Sequence, residues 1–208
     1  MKAQSRNVYA IAPNGVFWSI QGEGHLRGFQ MAFLRLAGCS VGCAECDTNY
    51  SVEAKHTADD LAQMVDSITP ANNRDRWCWV TGGEPYDRDL GPLFKALRSK
   101  GFSIAVATSG VHRCISPVDW LSVSPHGGVL MQQYGNEVKL VVGLNGLDPW
   151  QWLEQYPDSQ TEFMYRYVQP VWVEGKECPQ SLQRCLDFLK ENSNWALSRQ
   201  DHKHWGQA

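Results

Sequence analysis

The sequence predicts an α/β fold, a parallel sheet with crossover helices, and three observations predict it. Short β-rich apolar runs alternate with segments of helical spacing, for about six β-α units. Glycine, proline or a capping side chain marks many of the joins. The residues with the most chemistry fall at the C-terminal ends of the strand candidates, where open α/β sheets and barrels both gather their sites. Six units are too few for a closed eight-stranded barrel. An open or partial barrel and a doubly wound sheet both remain.

In chain order, "MAFLRLAG" is a strand that ends at a cysteine loop. "HTADDLAQMVDSI" has helical spacing with Thr57 as its N-cap. "RWCWVTGG" is a strand ending in paired glycines, and "LGPLFKALRSKG" is a helix closed by Gly101. "FSIAVATSG", "VDWLSVSPHGG" and "NEVKLVVG" each begin as strands and end in loops. "DPWQWLEQY" starts a helix with Asp148 as cap and Pro149 at the first position. "EFMYRYVQP" is a strand, "CPQSLQRCLDFLKEN" a helix and "NWALSRQ" a last short strand.

The 208 residues suffice for one domain with a sizeable core, and residues 1–208 are read as that domain. A net charge of -3 argues against a broad grip on nucleic acid, which takes many Lys and Arg against phosphates. No apolar run is long enough to span a membrane, and "MKAQSRNVYAIAPNG" lacks the apolar stretch of a secretory signal. A cytoplasmic protein with no direct nucleic-acid or membrane partner is expected. In that compartment seven cysteines read as metal-binding or buried thiols.

Three of them, Cys39, Cys43 and Cys46, stand at C-x3-C-x2-C spacing in "CSVGCAECDT". Cys78, Cys114, Cys178 and Cys185 are scattered beside apolar segments and read as small buried hydrophobes. Cys178 and Cys185 would share a face of their helix. A structural zinc needs four ligands, so His56 or Cys114 would have to complete the set. An electron-carrying [4Fe-4S] cluster takes four thiolates. Three thiolates leave one iron open, much as a catalytic metal keeps a free position.

The C-x3-C-x2-C run resembles the signature of the radical S-adenosylmethionine superfamily, and "TGGEP" one β-α unit later strengthens the likeness. Glycines let backbone approach a ligand closely, and Glu84 offers an acceptor to an ammonium. Alone, "GGEP" reads as a strand-to-helix turn. The stretch "FWSIQGEGHLRGFQMAFLRLAGCSVGCAECDT" narrows the likeness: "SIQGEG", Gly28, "FLRLAGC" and "CDT" are similar to the N-terminal segment of the 7-carboxy-7-deazaguanine synthase family. "TSG", "VSP" and "QP" follow in order, and "NWALSRQDHKHWGQA" resembles that family's tail.

The resemblance covers nearly the whole chain. It implies a partial, abbreviated (β/α)6-type radical SAM barrel, usually a homodimer. It implies a [4Fe-4S] cluster, S-adenosylmethionine, Mg2+ and an electron donor such as a flavodoxin or ferredoxin. The implied reaction converts 6-carboxy-5,6,7,8-tetrahydropterin to 7-carboxy-7-deazaguanine, with loss of ammonia, for deazapurine synthesis such as that of queuosine. By match, Cys39, Cys43 and Cys46 ligate the cluster. Glu45, Cys46, Asp47, Gly83, Glu84, Ser109, Ser124, Pro125, His126 and Gln169 go to the S-adenosylmethionine site. Thr48 goes to Mg2+, where a hydroxyl oxygen suits a hard cation. Ile20, Gln21, Gly22 and Glu23 go to the pterin's amide and amino edge. Arg35 goes to its carboxylate, with Thr81, His202 and the terminal Ala208 as further substrate contacts.

Each has a plainer alternative. Arg35 would pair with a structural acid, Thr48 would cap a turn, and His202 would be a surface histidine. Gln21 and Glu23 would sit in an ordinary tight turn between glycines. The chain also departs from the family pattern: Glu45 replaces an aromatic residue before the third cysteine, Ala107 a glutamate before "TSG", and His126 the lysine of "SPK". Two rival readings are a radical enzyme for another heterocycle and a non-enzyme, a zinc-stapled binding or RNA-associated module. The acidic balance speaks against the second.

Overall fold

Alternation along the strands decides what faces what. The computed structural model describes residues 7–43, 46 and 48–207. β1 (Val8–Ile20) pairs antiparallel with β2 (Gln30–Leu36) and, on its other side, with β3 (Ala54–Thr57). After helix α1 (Ala58–Ile68) the sheet runs parallel from β2 through β4 (Trp77–Gly82). Helix α2 (Gly91–Ser99) leads to β5 (Ser103–Thr108), followed by β6 (Trp120–Val123) and β7 (Tyr134–Val142). Helix α3 (Pro149–Gln155) leads to β8 (Glu162–Pro170). A small ribbon, β9 (Trp172–Val173) with β10 (Lys176–Glu177), precedes α4 (Pro179–Glu191). β11 (Ala196–Leu197) then adds parallel to β8, and α5 (Asp201–His204) ends the chain's regular structure. The spatial order is β11-β8-β7-β6-β5-β4-β2-β1-β3, a nine-stranded, mostly parallel sheet with two open edges.

The reading of about six regular units needs correcting in three places. Seven strands are parallel, and the β5–β6 and β6–β7 connections hold no α-helix among the described residues. The sequence reading also passed over β1 and β3. "PNG" inside β1 looks like a turn. The structure absorbs it as a register shift between Ile11 and Val16, with Asn14 at φ +51.

The caps are where expected. The Thr57 hydroxyl accepts from the Asp60 amide, and Asp60 reaches back to the Thr57 amide, a capping box. Asp148 accepts from the Trp150 and Gln151 amides, with Pro149 first in α3. Cys178, in contrast, is the residue before α4 and lies outside it, so only Cys185 uses the helix's buried face.

The main core lies between the sheet and α1, α2 and α4. Ala32, Leu34, Val80, Ile104, Val106, Leu140 and Val168 meet Leu61, Leu93, Leu97 and Phe188 there. The opposite face carries a smaller aromatic cluster of Met31, Phe33, Trp79, Ala105 and Trp120. No helix among the described residues is long and apolar enough to cross a membrane.

Candidate active site

That second face widens into a cavity of about 430 Å³, in the range of small-molecule sites. Alternation brings Phe33 and Arg35 of β2, Trp79 and Thr81 of β4, Ala107 of β5, Lys139 and Val141 of β7 and Gln169 of β8 to its wall. The segments leaving the strands build its rim: Cys39, Cys43, Cys46 and Thr48 after β2, Gly83 and Glu84 after β4, Ser109 after β5, Ser124 and His126 after β6. Ile20, Gln21, Gly22, Glu23 and His202 complete it.

Pro125 instead lines a neighbouring, smaller cavity of about 190 Å³, which shares Ser109. Glu45, Asp47 and Ala208 lie outside the described residues.

The paired glycines serve the chain itself. A Cβ on Gly83 would lie 1.7 Å from the Gly38 carbonyl oxygen, and one on Gly82 2.2 Å from that of Leu36. "TGG" therefore lets the β4 end pass against the start of the cysteine loop. Arg88 donates to the Ala37 carbonyl (2.8 Å), and the Ser40 amide donates to Asp87 (2.8 Å), so the segment after "GGEP" fastens that loop.

Glu84 is 1% exposed. One carboxylate oxygen accepts from the Tyr86 amide (3.1 Å) and the Thr108 hydroxyl (2.6 Å). The other accepts from the Ser109 amide (2.8 Å) and hydroxyl (2.5 Å). These four donors match the lone-pair sites of a carboxylate. A further ammonium would displace one of them, and the Ser109 hydroxyl is the freest to turn. His126 Nδ1 stands 3.4 Å from Cys43 Sγ.

The "SIQGEG" turn arrives from the other end of the sheet. Ile20 pairs with Gln30 at the start of β2, so the turn runs along the sheet face to the cavity. The tail holds it there. The Asp201 amide donates to the Gly22 carbonyl (3.1 Å), and the Gly24 amide donates to Ser198 Oγ (3.0 Å). Arg27 pairs with Asp201. Ser198 in turn donates to Gln169 Oε1 (2.7 Å). The Arg35 guanidinium lies 4.6 Å over the Phe17 ring, a cation–π contact.

The donor set can be tested against the group that the spacing implies. All three motif thiols line one cavity, whereas His56 and Cys114 do not. His56 is in edge strand β3, and Cys114 is engaged with the Tyr86 hydroxyl (2.8 Å) and the Ser116 carbonyl (3.1 Å). Among the described residues, no three His, Cys, Asp or Glu side chains are placed to hold a single metal ion. Among the described residues, neither His56 nor Cys114 is placed to complete a four-ligand zinc site with these thiols. Three thiols facing a roomy cavity fit a [4Fe-4S] cluster with one iron left for another ligand.

Three curated relatives, each a 7-carboxy-7-deazaguanine synthase, align along the chain. That of Burkholderia multivorans is 31% identical over 207 residues, covering 91% of this chain and 95% of its own. That of Escherichia coli K12 is 31% identical over 226 residues, covering 92% and 96%. That of Synechocystis is 30% identical over 206 residues, covering 95% and 93%. The chain belongs to the 7-carboxy-7-deazaguanine synthase family. It is accordingly an enzyme, of the radical S-adenosylmethionine lyase type. The crystal structure of QueE from Escherichia coli superposes with a TM-score of 0.70 at 27% identity, over 92% of this chain and 93% of that one. No family model matches.

Within this deazaguanine synthase fold, sequence reasoning missed Lys139, Gln200 and Lys203, all of which line the cavity. One signal was available for the first: "NEVKLVVG" carries a lysine between valine and leucine in a strand. Lys139 is 7% exposed and paired with Glu23. Burial first, and the charge of Lys203 second, push its ammonium down to about 7. Two residues before it on the same face, Glu137 accepts from the His25 amide (2.8 Å), and burial pushes its carboxyl up.

Proposed function

We propose that this chain catalyses the S-adenosylmethionine-dependent ring contraction of 6-carboxy-5,6,7,8-tetrahydropterin to 7-carboxy-7-deazaguanine, with loss of ammonia. One observation carries the reading: the cysteine loop, the "GGEP" and "TSG" strand ends and the "SIQGEG" turn all line one cavity. Cys39, Cys43 and Cys46 would hold the [4Fe-4S] cluster. Gly83, Glu84, Ser109, Ser124, His126 and Gln169 would hold S-adenosylmethionine. When bound, these groups supply one-electron reduction and hydrogen-atom abstraction.

The protein's own residues bind, orient and keep water out. Gln21 and Glu23 offer a fixed amide and carboxylate to the amino and N–H groups of the pterin edge. Arg35 presents a planar fork to the substrate carboxylate. Thr81 and His202 flank it. Thr48 would be the one protein ligand to a Mg2+ that keeps its remaining positions for water and substrate. Phe33, Trp79 and Val141 make apolar wall behind these groups.

We further read the open, mostly parallel sheet as a partial (β/α)6-type barrel in one domain, since side chains from five of its strands meet around one cavity. A homodimer and a one-electron donor such as a flavodoxin or ferredoxin belong to the same reading, on the family resemblance. The test is anaerobic reconstitution followed by electron paramagnetic resonance of the reduced protein. About four irons per chain and a cluster signal that shifts when S-adenosylmethionine is added support the proposal. Zinc without iron, or a cluster signal indifferent to S-adenosylmethionine, overturns it.

A further inference from the structure

We propose that Lys139 is a positioning residue for substrate: its buried ammonium fixes the Glu23 carboxylate in the orientation and charge state that receive the amino and N–H edge of the pterin ring. This rests on the reading of Glu23 given above. The geometry that supports it is complete on the protein side. Glu23 Oε2 is held by Lys139 and Oε1 by Gln200 Nε2 (2.9 Å), while the Glu23 amide donates to Gln21 Oε1 (3.1 Å). Glu23 and Lys139 both line the cavity, and their side chains are 18% and 8% exposed.

A carboxylate on a glycine-flanked turn has no rigid element of its own to aim it. β7 supplies that element, because Lys139 stands mid-strand with β8 in register beside it. An ionised carboxylate accepts from two parallel donors, whereas a protonated one spends an oxygen on its own proton. A cation held against Glu23 keeps it ionised.

The arrangement also sets a pH dependence. Other titratable groups near Lys139 are Glu23, Lys203 and His202 from the turn and tail, Glu137 on its own strand, and Tyr167 opposite it on β8. Below about pH 7 Lys139 is charged and holds Glu23; as pH rises through that point it loses its proton and the hold weakens. Ligand binding should weaken above pH 7. An arginine at 139 stays charged, so Lys139→Arg should remove that limb.

The experiment is calorimetric binding of 7-carboxy-7-deazaguanine to the cluster-loaded enzyme. This product keeps the same amino and N–H edge as the pterin. Wild type, Glu23→Gln, Lys139→Met and Lys139→Arg are compared from pH 6 to 9, with thermal midpoints. The expected result is a loss of affinity of about tenfold or more in Lys139→Met at pH 6.5, with the midpoint held. Lys139→Arg should restore most of it and lose the weakening above pH 7.

If Glu23→Gln weakens binding while Lys139→Met and wild type bind alike, this inference is overturned and the role of Glu23 stands. If the wild type does not bind the deazaguanine, both fall together. Should Lys139→Met not fold, a Lys139→Arg enzyme that keeps the wild-type loss of affinity above pH 7 overturns the proposal on its own.

Discussion

Gly83 shows how a motif residue serves fold and chemistry at once. Any side chain at this position meets the Gly38 carbonyl, which is backbone and cannot swing aside. A Gly83→Ala variant should lose about 3 kcal/mol of stability, or roughly 10 °C in thermal midpoint. The lost approach also loosens the segment that presents Cys39, so iron loading should fall with it. A midpoint and iron content equal to wild type would show that the loop shifts freely, against this account. Glu84 makes a related point. Its carboxylate ties β4 to β5 through Thr108 and Ser109, so the "GGEP" and "TSG" signatures are two halves of one hydrogen-bonded unit. Their spacing along the chain carries no hint of that.

Among the elements, the tail is the one with most influence on the site. α5 is a single turn, yet it holds Gly22 through the Asp201 amide and Arg27 through the Asp201 carboxylate. Asp201→Asn removes the charge and keeps the shape. It should raise KM for the pterin roughly fivefold and leave S-adenosylmethionine cleavage unchanged, measured under anaerobic turnover. Equal effects on both would place the tail's role elsewhere.

Elements set by local chemistry were legible from sequence: Thr57 and Asp148 announce α1 and α3, and the run from Met31 to Leu36 reads as a buried strand. β1 was not, because "PNG" signals a turn and only pairing with β2 on one side and β3 on the other overrides it. The pairing is long-range, so no local window contains it. The helix-free connections on either side of β6 are similar: they are bound by tertiary contacts such as the Cys114 amide to Gln132 Oε1 (2.8 Å).

At the scale of the molecule, strand order explains which parts of the site could be read in advance. In a parallel sheet every strand end lies on one rim, so Cys39, Gly83, Ser109 and Ser124 converge once β-α alternation is recognised. The "SIQGEG" turn and His202 come from outside that rule. Their meeting depends on β1 running antiparallel and on the tail crossing to Gly22, which only the likeness to a known family foretold. Lys139 was hidden for another reason. Between Val138 and Leu140 it reads as an exception until its half-buried carboxylate partner is located.

The central claim joins the three thiols to the pterin pocket as one active site, and anaerobic turnover tests it most directly. The reconstituted enzyme would receive S-adenosylmethionine, Mg2+, a reductant and 6-carboxy-5,6,7,8-tetrahydropterin, with product followed by mass. The account predicts 7-carboxy-7-deazaguanine from the wild type and none from Cys43→Ala. An intact cluster that cleaves S-adenosylmethionine and leaves the pterin unchanged would contradict it.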